Sequence, residues 1–369
     1  MGTFKWDYKE ILDNIKKLEE LLKVDSTNKE LISGFLENYK KMLMLINNKN
    51  INKVSFNIYN FDEDKITVND IIESAKSYYN QELLPLIAPL FECYDIIKSE
   101  SIKRNLFNYK IRLSNKDLIS FTNMFFKSET PNQIFYKYIS AFNNNFININ
   151  YINSLEPIRG FTLFDPFLEK KYVSITRNNT LLDLGVIPHE MFHYIINDYD
   201  SGIKSNEICD LLSEVDGCFA DILYANYHLN HAIYNKDFFK NHTLYSLDYI
   251  VGVIAIRTLL INSLDENNRV NKDVFNKKLK ENNVNAEISE DEYLLFFKDT
   301  GDYLIRYGIG YLAGLDIFYN YQIDRNKALE ALINIRNCRE TNDILKLFRD
   351  NGITFMDDGY KNLKKYLKN

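Results

Sequence analysis

Cysteine, histidine, proline and tryptophan are scarce in this 369-residue chain, with four, five, six and one of each. The cysteines (Cys93, Cys209, Cys218, Cys338) are scattered and form no C-x-x-C pair. That spacing argues against a cysteine zinc site and leaves reduced, buried thiols as the expectation. Charge of one sign is also missing in bulk. The net charge of -6 is spread along the chain, with neither a nucleic-acid footprint nor a polybasic membrane patch. No stretch approaches the ~20 apolar residues of a membrane span. The first 17 residues are polar and charged and lack the apolar core of a signal peptide. The expectation is a cytoplasmic protein with no membrane and no nucleic-acid partner. What remains is ordinary for a globular chain: 46% hydrophobic and 26% charged residues, enough for a sizeable core.

The scarcity of histidine sharpens the most informative stretch. Two of the five histidines stand in His189-Glu190-Met191-Phe192-His193, which reads H-E-x-x-H. On a helix, positions i and i+4 share one face, so both imidazoles can bind a single zinc ion. The carboxylate of Glu190 can then act as general base on an activated water. Pro188 directly precedes His189. Either a helix starts near 187–188, or Pro188 bends one that began near Leu182. Both arrangements leave His189, Glu190 and His193 on one helical stretch.

A catalytic zinc takes three protein ligands. The third candidate comes from the next helical segment, which carries Glu207, Asp210, Glu214, Asp216 and Asp221. Leu211, Val215, Cys218 and Phe219 form its apolar face, and Glu214 lies beside that face. Asp221, seven residues on, is placed to support a ligating histidine. Spacing alone leaves Asp216 as a rival to Glu214.

Helical periodicity dominates the chain. Segments near 7–23, 31–47, 68–97, 116–126, 133–146, 182–197, 206–228, 244–261, 290–297 and 301–319 read as helices. Pro85 and Pro89 are expected to kink or divide the third of these. The pattern changes near Asn148: 148–180 carries turn residues and an alternating run, Lys171–Thr176, that reads as a strand. The fold class is therefore mainly α, multi-helical, with a small β-sheet beside the motif helix. A boundary near residue 150 divides an N-terminal helical region (1–150) from a catalytic region (151–369), and one continuous helical fold is the alternative. No internal repeat is present.

The run from Lys171 to Glu190 is similar to the strand, turn and active-site helix of the oligoendopeptidase F and thimet oligopeptidase family of zinc peptidases. That family has a strand, an Asn/Gly-Thr turn (here Asn179-Thr180), an aspartate (Asp183) and then H-E-x-x-H. Its third ligand is a glutamate within an A-E-V-A-S-like segment. Ser213-Glu214-Val215-Asp216-Gly217 resembles that segment, which favours Glu214. Tyr303–Gly314 resembles the family's Tyr- and Gly-rich helix, whose hydroxyls face the substrate carbonyl. Tyr303, Tyr307 and Tyr311, spaced by four, become oxyanion candidates, and an aromatic packing stripe is the alternative. The Gly308-x-Gly310-x-x-Ala313 pattern mimics a dinucleotide fingerprint but has no strand before it, so it is read as close helix packing.

The resemblance covers roughly residues 165–320 and implies a zincin-like fold with a substrate cleft. It implies one zinc per chain on His189, His193 and Glu214, with Glu190 as base and a short unfolded peptide as substrate. Tyr172, Val173, Ser174 and Ile175 are expected to pair with that peptide by strand addition. The chain also departs from the family: Phe192 stands where the family has glycine, 290–302 holds no histidine, and the chain is shorter. A carboxypeptidase (with Arg306 holding the terminal carboxylate), a dedicated maturation protease and a catalytically silent peptide-binding protein are the competing readings.

Overall fold

A computed structural model describes residues 5–47, 72–73, 76, 84–98, 111, 113–151, 160–198, 207–231, 235–284, 302–339, 341 and 343–368. The expected helical stretches at 68–83 and 290–297 fall almost wholly outside these residues, as does the side chain of Tyr303. The chain divides into two compact units that interleave in sequence. The first comprises residues 1–61, 107–204 and 226–232, and the second the remainder.

In the first unit, helices Tyr8–Val24 and Lys29–Ile46 form a hairpin. Asp7 starts the first of them by accepting from the amides of Lys9 and Glu10. Their apolar stripes (Ile11, Leu18, Ile32, Phe35, Tyr39, Met42) close on Trp6, Leu163 and Tyr172 in one core cluster. Helix Asn115–Glu129 opens with a capping box of Ser114 and Asp117. Helix Asn132–Asn143 follows and ends where Asn145 takes a left-handed conformation, φ 57°.

A three-stranded sheet comes next: β1 (Ile147–Tyr151), β2 (Gly160–Asp165) and β3 (Lys170–Arg177), in the order β1-β3-β2. Strand β3 is the run foreseen at 171–176. It pairs parallel with β1, Val173 opposite Ile147, and antiparallel with β2, Val173 opposite Thr162. Both of its hydrogen-bonding edges are therefore taken. The helix carrying the H-E-x-x-H motif, Asp183–Ile196, packs on β2 and β3.

The second unit is mainly helical among the described residues, with one isolated bridge between Leu264 and Val270. Helix Leu84–Lys98 accommodates Pro89 in its interior. A short turn of helix, Glu207–Asp210, is followed by a turn at 211–214 and then by helix Val215–His231, whose last residues belong to the first unit. The single helix expected over 206–228 is thus broken just before Val215. Helix Phe238–Ile261 is long and apolar enough to cross a membrane by length and composition, with a mean hydropathy of 1.7 over its best window. It contains the helix expected at 244–261, but its apolar length runs against the expectation of no span-length stretch. Most of that window is buried inside the protein, as in a core helix: Ala255, Leu259 and Leu260 pack on Phe275 and Leu279 of helix Lys272–Glu281. Helices Asp302–Ile323 and Arg325–Arg336 pack on each other, and Ile344–Asp350 and Lys361–Lys368 close the chain.

Candidate metal centre

The motif helix is buried almost all round, through Leu184, Ile187, Met191, Phe192, Ile195 and Ile196. Its start is held by Asp183, whose carboxylate accepts from the amides of Asn178 (3.1 Å) and Asn179 (2.9 Å). The Arg177 guanidinium lies 3.7 Å from the same carboxylate. Asn179 supplies the left-handed residue of the turn, φ 60°. The helix thus begins well before Pro188, which sits in its interior. At its other end Lys171 donates to the carbonyls of Tyr194 and Asn197. A cation there offsets the negative end of the helix dipole. Burial, with Lys137 nearby, lowers the Lys171 pKa to about 8.

Within that frame His189 and His193 lie one turn apart, with their rings nearly perpendicular and their Nε2 atoms 3.2 Å from each other. Two imidazole nitrogens that each sit ~2.0–2.1 Å from a tetrahedral zinc stand about 3.3 Å apart. The pair therefore fits a shared ion without rearrangement. His193 is buried and His189 half-buried. Glu190, between them, is also buried. Its Oε2 accepts from the Thr162 hydroxyl on β2 at 2.8 Å. Phe192, the departure from the family's glycine, is fully buried and stacks on Phe126 at 5.8 Å. Its bulk is used in the core of the first unit.

Glu214 lies in the second unit, at the last residue of the 211–214 turn, and its carbonyl accepts from the Cys218 amide at 2.9 Å. The Tyr- and Gly-rich helix reaches this turn closely. A Cβ on Gly310 would lie 2.9 Å from the Glu214 carbonyl oxygen and 2.8 Å from Cys218 Sγ. One on Gly314 would lie 3.0 Å from the Phe219 amide nitrogen. These glycines serve backbone-to-backbone packing. The rival ligand Asp216 is fully buried and engaged with Arg336, Nε to Oδ1 3.1 Å. An ion pair accounts for its charge.

The tyrosines divide. Tyr311 is buried, and its hydroxyl donates to Asp221 at 3.2 Å. Burial, with the charge of Asp221 beside it, pushes its pKa well above the usual phenol value. Its hydroxyl thus serves a buried hydrogen bond, contrary to the expectation of an oxyanion donor. Tyr307 is half-buried, and its ring lies 6.5 Å from that of Tyr311. Arg306 forms an ion pair with Asp210, so its charge already has a carboxylate partner.

The peptide-pairing expectation for Tyr172, Val173, Ser174 and Ile175 is corrected by the sheet order. All four are buried in the middle strand, and β1 and β2 occupy both ladders. Strand centrality depends on distant partners and is invisible in the alternating run itself. Thr162, which touches Glu190, was missed for the same reason: β2 carries no clean alternation, and its burial runs in blocks.

No family model matches the chain, and no curated protein sequence matches it. Solved structures do match. A protein described as a peptidase from Chlamydophila abortus superposes with a TM-score of 0.53 at 12% identity, over 97% of this chain and 62% of its own. A protein described as oligoendopeptidase F gives 0.52 at 13% identity, over 98% of this chain and 66% of its own. PZ peptidase A, solved with an inhibitor, gives 0.50 at 10% identity, over 98% of this chain and 70% of its own. The chain spans less than two thirds of the first two. At these identities the likeness is one of fold: mostly helical with a small three-stranded sheet, the fold of oligoendopeptidase F-like peptidases.

Proposed function

We propose that the protein is a zinc-dependent peptidase that hydrolyses internal bonds of short, unstructured peptides. One observation carries this reading. His189 and His193 of the motif helix bring their Nε2 atoms to 3.2 Å, the separation that a shared zinc requires, and Glu214 is the third ligand that the sequence offers. Two imidazoles and a carboxylate are the donor set of a catalytic zinc that keeps a position open. When bound, zinc supplies Lewis-acid chemistry for peptide hydrolysis. Glu190 takes a proton from the attacking water and passes it to the leaving amine. Tyr307 donates a hydrogen bond to the developing oxyanion. Asp221 accepts from the Tyr311 hydroxyl. An extended peptide lies along the outer edge of β2, beside Glu190, because β3 has no edge to offer.

The full chain, incubated with a quenched peptide library with and without a chelator and read by mass spectrometry, tests the reading. Internal cleavage that stops with chelator and returns with zinc is the expected result. Glu190→Gln should keep the metal and lose the cleavage. Cleavage insensitive to chelator, or a Glu190→Gln chain as fast as its parent, overturns the proposal.

A further inference from the structure

Glu190 is buried between the sheet and its own helix, and a buried carboxylate is useful as a base only if its orientation is fixed. Two features of β2 bear on that orientation. Thr162 Oγ1 lies 2.8 Å from Glu190 Oε2 and 3.1 Å from the Glu190 carbonyl oxygen. The one hydroxyl proton is directed to the nearer carboxylate oxygen, with the carbonyl oxygen also within reach. Two residues earlier, Gly160 leaves a gap that the glutamate fills. A Cβ built there would lie 2.5 Å from Glu190 Cγ, 2.6 Å from Oε1 and 2.8 Å from Cδ. The neighbour pressed upon is the carboxyl group itself, so any side chain at 160 displaces it. The backbone of Gly160 is not left-handed, so its requirement for glycine is one of space.

We infer that β2 is a positioning element for the base: Thr162 holds one carboxylate oxygen from the strand, and Gly160 gives the carboxylate room to lie flat against it. Oε2 is steadied by the hydroxyl, and Oε1 lies beside Gly160. The sheet so acquires a role in proton transfer, through a strand that also forms the edge along which the peptide lies. This inference rests on the reading of Glu190 as general base.

The test uses the zinc-loaded full chain and a single quenched peptide taken from the library. Thr162→Val keeps the shape and strand preference of threonine and removes the hydroxyl. Its kcat should fall at least ~10-fold with KM nearly unchanged, since misplacing a catalytic group by about 1 Å costs up to ~100-fold. Thr162→Ser restores the hydroxyl and should return kcat to within about threefold of the parent, on the same positioning argument. Gly160→Ala leaves Thr162 intact and should lower kcat similarly by pushing the carboxylate aside. A crystal structure of metal-free Thr162→Val should show Glu190 in a changed or divided rotamer, a readout that a purely structural threonine would not move.

A parental kcat in Thr162→Val or in Gly160→Ala overturns the inference. So does a serine variant as impaired as the valine one. Glu190→Gln, measured alongside, separates the two failures. If it is fully active, the base assignment is wrong. If it is dead while Thr162→Val is unimpaired, only the positioning role is wrong.

Discussion

Replacing Asp216 by alanine separates the two acidic residues that compete on spacing for the metal. Asp216 is fully buried, and the Arg336 side chain is 5% exposed, with Nε and Oδ1 3.1 Å apart. The truncation leaves a buried guanidinium without its carboxylate. Breaking a buried pair from one side costs about 3–5 kcal/mol, a large part of the ~5–15 kcal/mol that holds a typical domain folded. Asp216→Asn keeps the shape and one acceptor and should cost less. Asp216→Leu combined with Arg336→Met removes both charges and should recover most of the loss, because apolar replacement of a buried pair is often neutral. Urea unfolding followed by far-UV circular dichroism is the assay. The chain's one tryptophan, Trp6, lies in the first unit's core, and its fluorescence reports that unit. The helical signal should therefore shift to lower urea while metal content stays at the parental level. An Asp216→Ala chain within about 1 kcal/mol of its parent but stripped of zinc would refute the reasoning and make Asp216 the ligand.

Phe192→Ala should cost about 3–5 kcal/mol, as for other buried phenylalanines, read as a lower urea midpoint with metal retained. Full stability would deny the packing role against Phe126. Tyr311→Phe should keep kcat near the parental value and lose about 0.5–1.5 kcal/mol for the missing hydrogen bond; a large fall in kcat at unchanged stability would restore it as an oxyanion donor. Burial lowers the His228 pKa from 6.5 to about 4. The unfolded chain therefore takes up that proton first as pH falls, and stability is lost between pH 6.5 and about 4. His228→Leu should flatten that part of the stability–pH curve, and an unchanged slope would contradict the burial argument.

The motif helix was legible because its signals are local: the histidine pair, Pro188, and Asp183 after the Asn179-Thr180 turn. The same holds for the N-terminal hairpin, whose apolar stripes repeat at helical spacing. The break at 211–214 was not legible, since Leu211-Leu212-Ser213-Glu214 contains neither glycine nor proline and continues the helical period. The middle position of β3 was hidden because strand order is set by β1 and β2, which pair with it on either side. Nothing in the composition of Gly160-Phe161-Thr162 marks it as a neighbour of Glu190. That proximity follows from β2 packing on the motif helix. The partners of Asp216 and Tyr311 were hidden likewise, being residues 120 and 90 positions distant. Residue types were thus readable where chemistry is concentrated within a few positions. Roles that depend on a long-range neighbour, Thr162 among them, came only from the fold.

The central claim is that His189, His193 and Glu214 hold one zinc ion. Elemental analysis of the purified full chain, after dialysis against zinc and then against metal-free buffer, tests it most directly. The account predicts about one zinc per chain, since the site has one set of ligands. A folded chain that retains none would contradict it.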